Sequence, residues 1–228
     1  ALALGTPPYD DPVMYVPAHF KPDDEDVRDL LRNPGAAELV SVTADGIMAT
    51  LLPLVYDEGA SRSGLGPWGA LLGHVARNNR QWSATALGEV LVIVRGPDAY
   101  ISPGWYTTKR EHGRVVPTWN YITAHVYGRL VIHDDPVWVE ANVRRLTEQH
   151  ERGRPEAWSV DDAPEPYIAG QLRAIVGVEV VIDRVEGKSK LSQNRSDADI
   201  EGAVRGLEAA GERDVSAAMR ALGRGSDD

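Results

Sequence analysis

The residues with the clearest chemical bent are Gly73-His74-Val75-Ala76-Arg77-Asn78-Asn79-Arg80-Gln81-Trp82, where an apolar run from Trp68 to Gly73 turns abruptly into hydrogen-bond donors. A glycine lets the backbone approach a ligand closely, Arg77 offers a forked cation matched to phosphate oxygens, and the asparagines add neutral donors. This composition suits phosphate binding, and a merely solvated loop shares it. Lys188-Ser189-Lys190-Leu191-Ser192-Gln193-Asn194-Arg195 is a second donor-rich stretch and the densest local positive charge in the chain. Alone it reads equally as a basic turn; two such stretches in one modest domain point to a small anionic cofactor. A third cluster runs from Tyr100 through Trp105 and Tyr106 to Trp119-Asn120-Tyr121. Its rings can stack on a flat ligand and Asn120 can reach ring heteroatoms, or the same aromatics are plain core.

Other chemistries find little support. Six histidines (His19, His74, His112, His125, His133, His150) show no pair at zinc spacing with a carboxylate, so a metal site is not expected. Neither a Gly-x-Ser-x-Gly elbow nor a Walker-type loop is present. His19, beside Phe20, reads as a packed or capping residue. His74 stands inside the donor cluster, where it suits a phosphate as imidazolium or a haem iron as neutral imidazole. No residue is assigned as catalytic.

Composition narrows the class. With 228 residues and 43% hydrophobic content the chain can bury one sizeable core. Its 34 acidic and 24 basic residues give a formal charge of −10, which opposes non-specific binding to duplex DNA. Cysteine is absent, removing disulfides, thiolate metal sites and cysteine nucleophiles. No apolar run is long enough to cross a bilayer, so no membrane role is expected and a cytoplasmic protein is. Residues 1–13 lack a basic start and an apolar centre, and read as a disordered leader or expression remnant before a natural start at Met14.

The elements that must position these residues are mostly strands. Acids at 23–26 followed by Val27, Leu30 and Leu31, then Asn33-Pro34-Gly35, predict a short first helix. Strands are predicted over Glu38 to Thr43, Ile47 to Tyr56, Trp68 to Val75, Glu89 to Arg95, Tyr100 to Ser102 and Val115 to His133, separated by Asp45-Gly46, Gly59 to Gly66 and Gly96-Pro97-Asp98. Both faces of Ile47 to Tyr56 are apolar, so both should be covered. Beyond Pro117, Trp119, Tyr121, Thr123, His125, Tyr127 and Arg129 share one side, which is a subunit interface, a ligand wall or an outer face under helices. Asp135-Pro136 opens a helix ending near Gly153, and Tyr167 to Ile175 suggests another that leads into a late strand, Val178 to Ile182. Ser196-Asp197-Ala198-Asp199 caps a further helix, and residues 223–228 should fray. The chain reads as one domain over 14–211, with 212–228 as helix end and tail.

In Met14-Tyr15-Val16-Pro17-Ala18-His19-Phe20, Ala49-Thr50-Leu51-Leu52-Pro53, Gly73 to Trp82, Val116-Pro117-Thr118-Trp119-Asn120-Tyr121, Ile175-Val176-Gly177 and Lys190-Leu191-Ser192-Gln193-Asn194, the sequence resembles the FMN-binding negative transcriptional regulators of the PaiB type. The resemblance covers nearly all of 14–211. It implies a mainly β protein with flanking helices, a six-stranded FMN-binding split β-barrel that dimerises and holds FMN between subunits. By resemblance, Arg77, Asn78 and His74 hold phosphate and ribityl, Thr50, Leu51 and Leu52 border the flavin ring, and Lys188, Lys190, Gln193 and Asn194 close the site, with the partner subunit as one source of that last segment. The expected partners are a second copy of the chain and a small, flat, anionic cofactor. The regulator name implies DNA, but the chain has no helix-turn-helix signal and is acidic. Similar proteins include flavin-dependent oxidoreductases and haem-dependent enzymes resembling piperazate synthases, which form an N–N bond. Haem b is therefore the alternative cofactor, with His74 as its axial ligand, and an interaction module with a vestigial site is a third reading.

Overall fold

The computed structural model describes residues 14–61 and 66–224. The leader expected over 1–13, the part of the Gly59 to Gly66 separator on 62–65, and residues 225–228 of the expected frayed end lie outside them.

The Asp23 carboxylate accepts the Asp26 N–H at the start of α1 (Asp24–Arg32), acids fill its first turn, and Val27 and Leu31 point inward. There follow β1 (Ala36–Thr43), β2 (Gly46–Pro53), β3 (Val55–Asp57), β4 (Ala70–Ala76), β5 (Val90–Ile101), α2 (Thr108–His112), β6 (Thr118–His133), α3 (Pro136–Glu151), α4 (Glu165–Arg173), β7 (Ile175–Lys190), α5 (Asp197–Ala210) and α6 (Arg213–Arg224). The seven strands form one curled antiparallel sheet in the order β2-β1-β5-β6-β7-β4-β3. Its outermost strands, β2 and β3, are separated along the chain only by Leu54, so the sheet must curl until its edges approach. That is the expected split barrel with flanking helices. The count is seven rather than six because Pro53, which has no N–H to give a ladder, ends β2 and the chain resumes as β3 beyond Leu54.

The chain divides into two compact units. The barrel unit comprises residues 23–96 and 123–185. Leu39, Leu54, Leu71, Val92, Val126 and Ile182, all 2% exposed or less, are among its core, each contributing about 1.5–3 kcal/mol relative to exposure. Gly73 faces this core: a Cβ there would stand 2.8 Å from Leu54 Cδ2 and 3.0 Å from Leu52 Cδ1. Its smallness therefore admits the β2–β3 crossing, not the ligand approach that the sequence suggested.

The helical unit comprises residues 14–22, 97–122 and 186–224. Ile101, Tyr106, Leu191, Val204 and Leu207 form its core with Val215 and Met219 of α6, so residues 213–224 are a packed helix. Ser196 caps α5 as expected. One helical turn into α5, Asp199 accepts from both the backbone N–H and the hydroxyl of Thr108 (3.0 and 2.7 Å). Gly202 and Gly206 leave a groove in which Trp105 lies; a Cβ on Gly206 would stand 2.2–2.5 Å from its indole.

Three further differences have simple causes. The segments around Gly96-Pro97-Asp98 are one strand, β5, in which the buried positions switch from Val90, Val92 and Val94 to Ala99 and Ile101. An odd offset between the two sets hides the continuity from an alternation test. β7 runs to Lys190, because its outward positions beyond Ile182 are charged and interrupt the apolar pattern. On β2 only one face is covered: Leu52 is buried, while Ile47 and Leu51 are 76% and 64% exposed.

Candidate functional site

The first donor segment belongs to the barrel unit. β4 pairs with β7 so that His74 faces Gly177, and a Cβ on Gly177 would meet Trp138 of α3 at 2.3 Å. His74 thus points to the face that α3 covers. Burial pushes its pKa below the ordinary value, leaving a neutral ring whose Nδ1 is buried without a partner. Arg77 is held on four sides. Its Nε donates to Arg173 O (2.7 Å), its two terminal nitrogens donate to the Asp134 carboxylate, and one of them also reaches Ile175 O (3.1 Å). Four of its five N–H directions are taken, and the Arg77 guanidinium holds the Asp134 carboxyl below the usual range.

Gln81, absent from the expected site, organises the loop. Only 2% exposed, it accepts the Thr50 hydroxyl (2.5 Å) and offers its amide to Leu39 O, Ser41 Oγ and Met48 O (3.0, 3.1 and 3.3 Å). Its backbone N–H bonds Asn79 Oδ1 (2.8 Å), and Asn79 Nδ2 bonds Thr50 Oγ1 (3.0 Å). Among the expected residues, Thr50 is gathered here with Asn79, and Asn78 is exposed on the same loop. Leu51 points outward and Leu52 into the core, as strand alternation requires.

The second donor segment belongs to the helical unit. Lys190 Nζ donates to Thr118 Oγ1 and Trp119 O, both at 2.5 Å. Lys188 Nζ donates to Tyr15 O (2.8 Å) and lies 5.5 and 5.7 Å from the rings of Tyr15 and Tyr121. Arg195 stands 4.9 Å over the Tyr106 ring. Burial first, then the fields of Lys188 and Arg195, lowers the Lys190 pKa. Gln193 closes its own turn, accepting from Leu191 N and donating to Ser189 O (2.7 and 2.5 Å), while Asn194 is exposed.

Asn120 packs inside this unit. It is fully buried, exchanges hydrogen bonds with the Ser192 hydroxyl (3.0 and 3.2 Å) and reaches Met219 Sδ (3.4 Å). It therefore braces Ser192, whose φ of 69° is left-handed. Alternation on β6 carries the signal, since Asn120 shares a side with buried Ala124 and Val126. The aromatics divide: Trp105 and Tyr106 pack inward, while Tyr15, Tyr100 and Trp119 are 82%, 48% and 50% exposed. Trp119 Nε1 is fixed by Asp98 (2.7 Å).

Cations beside exposed aromatic rings fit a flat molecule that carries a phosphate. No helix among the described residues is long and apolar enough to cross a membrane.

Comparisons with known proteins agree with this chemistry. An uncharacterised protein of Emericella nidulans is 34% identical over 189 residues, spanning 71% of this chain and 75% of the relative. Protease synthase and sporulation protein PAI 2 of Bacillus subtilis is 30% identical over 198 residues, 86% of this chain and 89% of the relative. Among solved structures, the flavocytochrome Anf3 from Azotobacter vinelandii matches with a TM-score of 0.52 at 15% identity, covering 73% of this chain and 67% of that one, and supports the fold. The model of the family described as "Putative FMN-binding domain" matches residues 14–184. On that match and the similarity to PAI 2, the chain belongs to this FMN-binding family.

Proposed function

We propose that the protein is a cytoplasmic, homodimeric FMN carrier of the PaiB-like kind, with the flavin at the seam between two chains. The observation that carries this reading is the second donor segment, where lysines unneutralised by any described carboxylate stand beside exposed Trp119 and Tyr15. The loop with Thr50, Asn78 and Asn79 is the neutral donor set for the ribityl chain, offered by one protomer while Lys188 and Lys190 come from its partner. The outward side chains of β2, Ile47 and Leu51, support a second copy as the cover for that edge. Arg77 reaches a phosphate only by releasing Asp134. Bound flavin would supply one- or two-electron redox chemistry; the chain's residues bind it, orient it and screen it from water.

The test is a visible spectrum with FMN titration by flavin fluorescence, together with sedimentation. A flavin absorbance band, saturable FMN binding and a dimer are expected. A monomer that neither carries nor takes up FMN refutes the reading. The chain's net charge of −10 weighs against DNA binding through the phosphate backbone alone. Haem is the second reading, favoured by the neutral His74. It requires the Trp138 indole to move from the face that His74 shares with Gly177. A Soret band lost in His74→Ala would establish it.

A further inference from the structure

We propose that Lys188, Lys190 and Arg195 form the seat of a phosphate monoester, with Arg195 as a binding residue of that seat. The choice of FMN as the ester rests on the function proposed above; the anion seat itself does not.

The argument begins with charge. Arginines elsewhere in this acidic chain repeatedly meet carboxylates, as Arg32 meets Glu25 and Arg144 meets Glu140 and Asp161. Among the described residues, Lys188, Lys190 and Arg195 meet none within ion-pair distance. Of the acids close by in sequence, Glu186 accepts the Met14 N–H (2.8 Å), Asp197 is exposed, and both Asp199 oxygens accept from Thr108 while Asp199 lies in the field of Arg195. Lys188 and Lys190 thus stand without a carboxylate partner and Arg195 has only the field of Asp199, while burial first, and then the repulsion of Lys188 and Arg195, lowers the Lys190 pKa. A phosphate dianion would reverse that repulsion.

Geometry supplies the rest. The lysines are held by carbonyls and a hydroxyl, which orient an ammonium without neutralising it. Lys188 keeps two N–H groups beyond its bond to Tyr15 O, and Lys190 keeps one beyond its two bonds. Stacking of Arg195 on Tyr106 leaves the guanidinium edge to offer a fork. Directly after Arg195, Ser196 caps the 14-residue helix α5, whose N-terminal dipole adds positive potential at the same end. By contrast, Arg77 already has a carboxylate.

The experiment compares FMN and riboflavin affinities by flavin fluorescence, with inorganic phosphate followed separately by ³¹P NMR, in wild type, Arg195→Gln, Lys190→Gln and Arg77→Gln. Removing one charge of the seat should weaken FMN on the order of 10–100-fold and leave riboflavin unchanged. Unchanged riboflavin affinity and circular dichroism show that each variant is folded. Wild-type preference for FMN retained in Arg195→Gln and Lys190→Gln, or lost only in Arg77→Gln, overturns the proposal. Should neither flavin bind wild type, the FMN reading falls and phosphate decides: saturable phosphate binding lost in Arg195→Gln upholds the seat, and no phosphate binding in wild type removes it.

Discussion

Replacing Gln81 by leucine should loosen the donor loop more than any substitution on its surface. The leucine roughly preserves side-chain bulk but cannot accept the Thr50 hydroxyl or serve Leu39 O, Ser41 Oγ and Met48 O. Because one amide carries two hydrogens, these contacts amount to one accepted and two donated bonds. At about 0.5–1.5 kcal/mol net for each, the loss is about 3 kcal/mol. A fold of this size should then melt about 6–12 °C lower, at roughly 2–4 °C per kcal/mol. Urea and thermal unfolding measure the loss, and a cycle with Thr50→Val isolates the shortest contact, for which a coupling of about 1 kcal/mol is expected. A loss below about 1 kcal/mol, or strict additivity with Thr50→Val, would show that Gln81 does not anchor the loop.

Three other outcomes follow from the geometry. Because burial lowers the His74 pKa, the unfolded chain binds a proton near pH 6.5 that the folded chain resists, so stability is full above about pH 6.5 and falls below it. The urea midpoint of His74→Phe should fall less than wild type between about pH 7.5 and 5; equal slopes contradict this. Gly206→Ala drives a methyl into Trp105 and should cost about 1–3 kcal/mol, partly restored by adding Trp105→Leu; a neutral effect in denaturation would mean the groove has slack. Asp134→Asn should leave the urea midpoint nearly unchanged, since the pair with Arg77 is solvent-screened. If FMN then binds more tightly, Arg77 is a phosphate ligand after all.

The sequence displayed the barrel through residue type and spacing. Strand-like runs between turn signals located β1, β2, β4 and β6, capping signals located α1, α3 and α5, and the resemblance named the architecture. Alternation could not follow β5 across Gly96-Pro97-Asp98 or β7 into its charged end, because each changes what it shows to the core. The candidate site was legible as composition and only partly as geometry. Lys188 and Lys190 stand beside exposed rings, whereas Arg77 is tied to Asp134 and Asn120 to Ser192, pairings between residues distant in the chain that no local pattern encodes. Gln81 escaped notice for the same reason, since its partners are carbonyls and hydroxyls on β1 and β2.

The offset within β5 gives that strand something like a reading frame. Val94 and Ala99 both point to an apolar interior although five positions separate them, so the stretch between must contain an odd number of steps. Deleting a single residue from Gly96-Pro97-Asp98 would turn Ala99 and Ile101 outward and Tyr100 inward while sparing Val90 to Val94, whereas deleting two would keep every side chain on its side. Length variation at this point in related chains should therefore come in pairs.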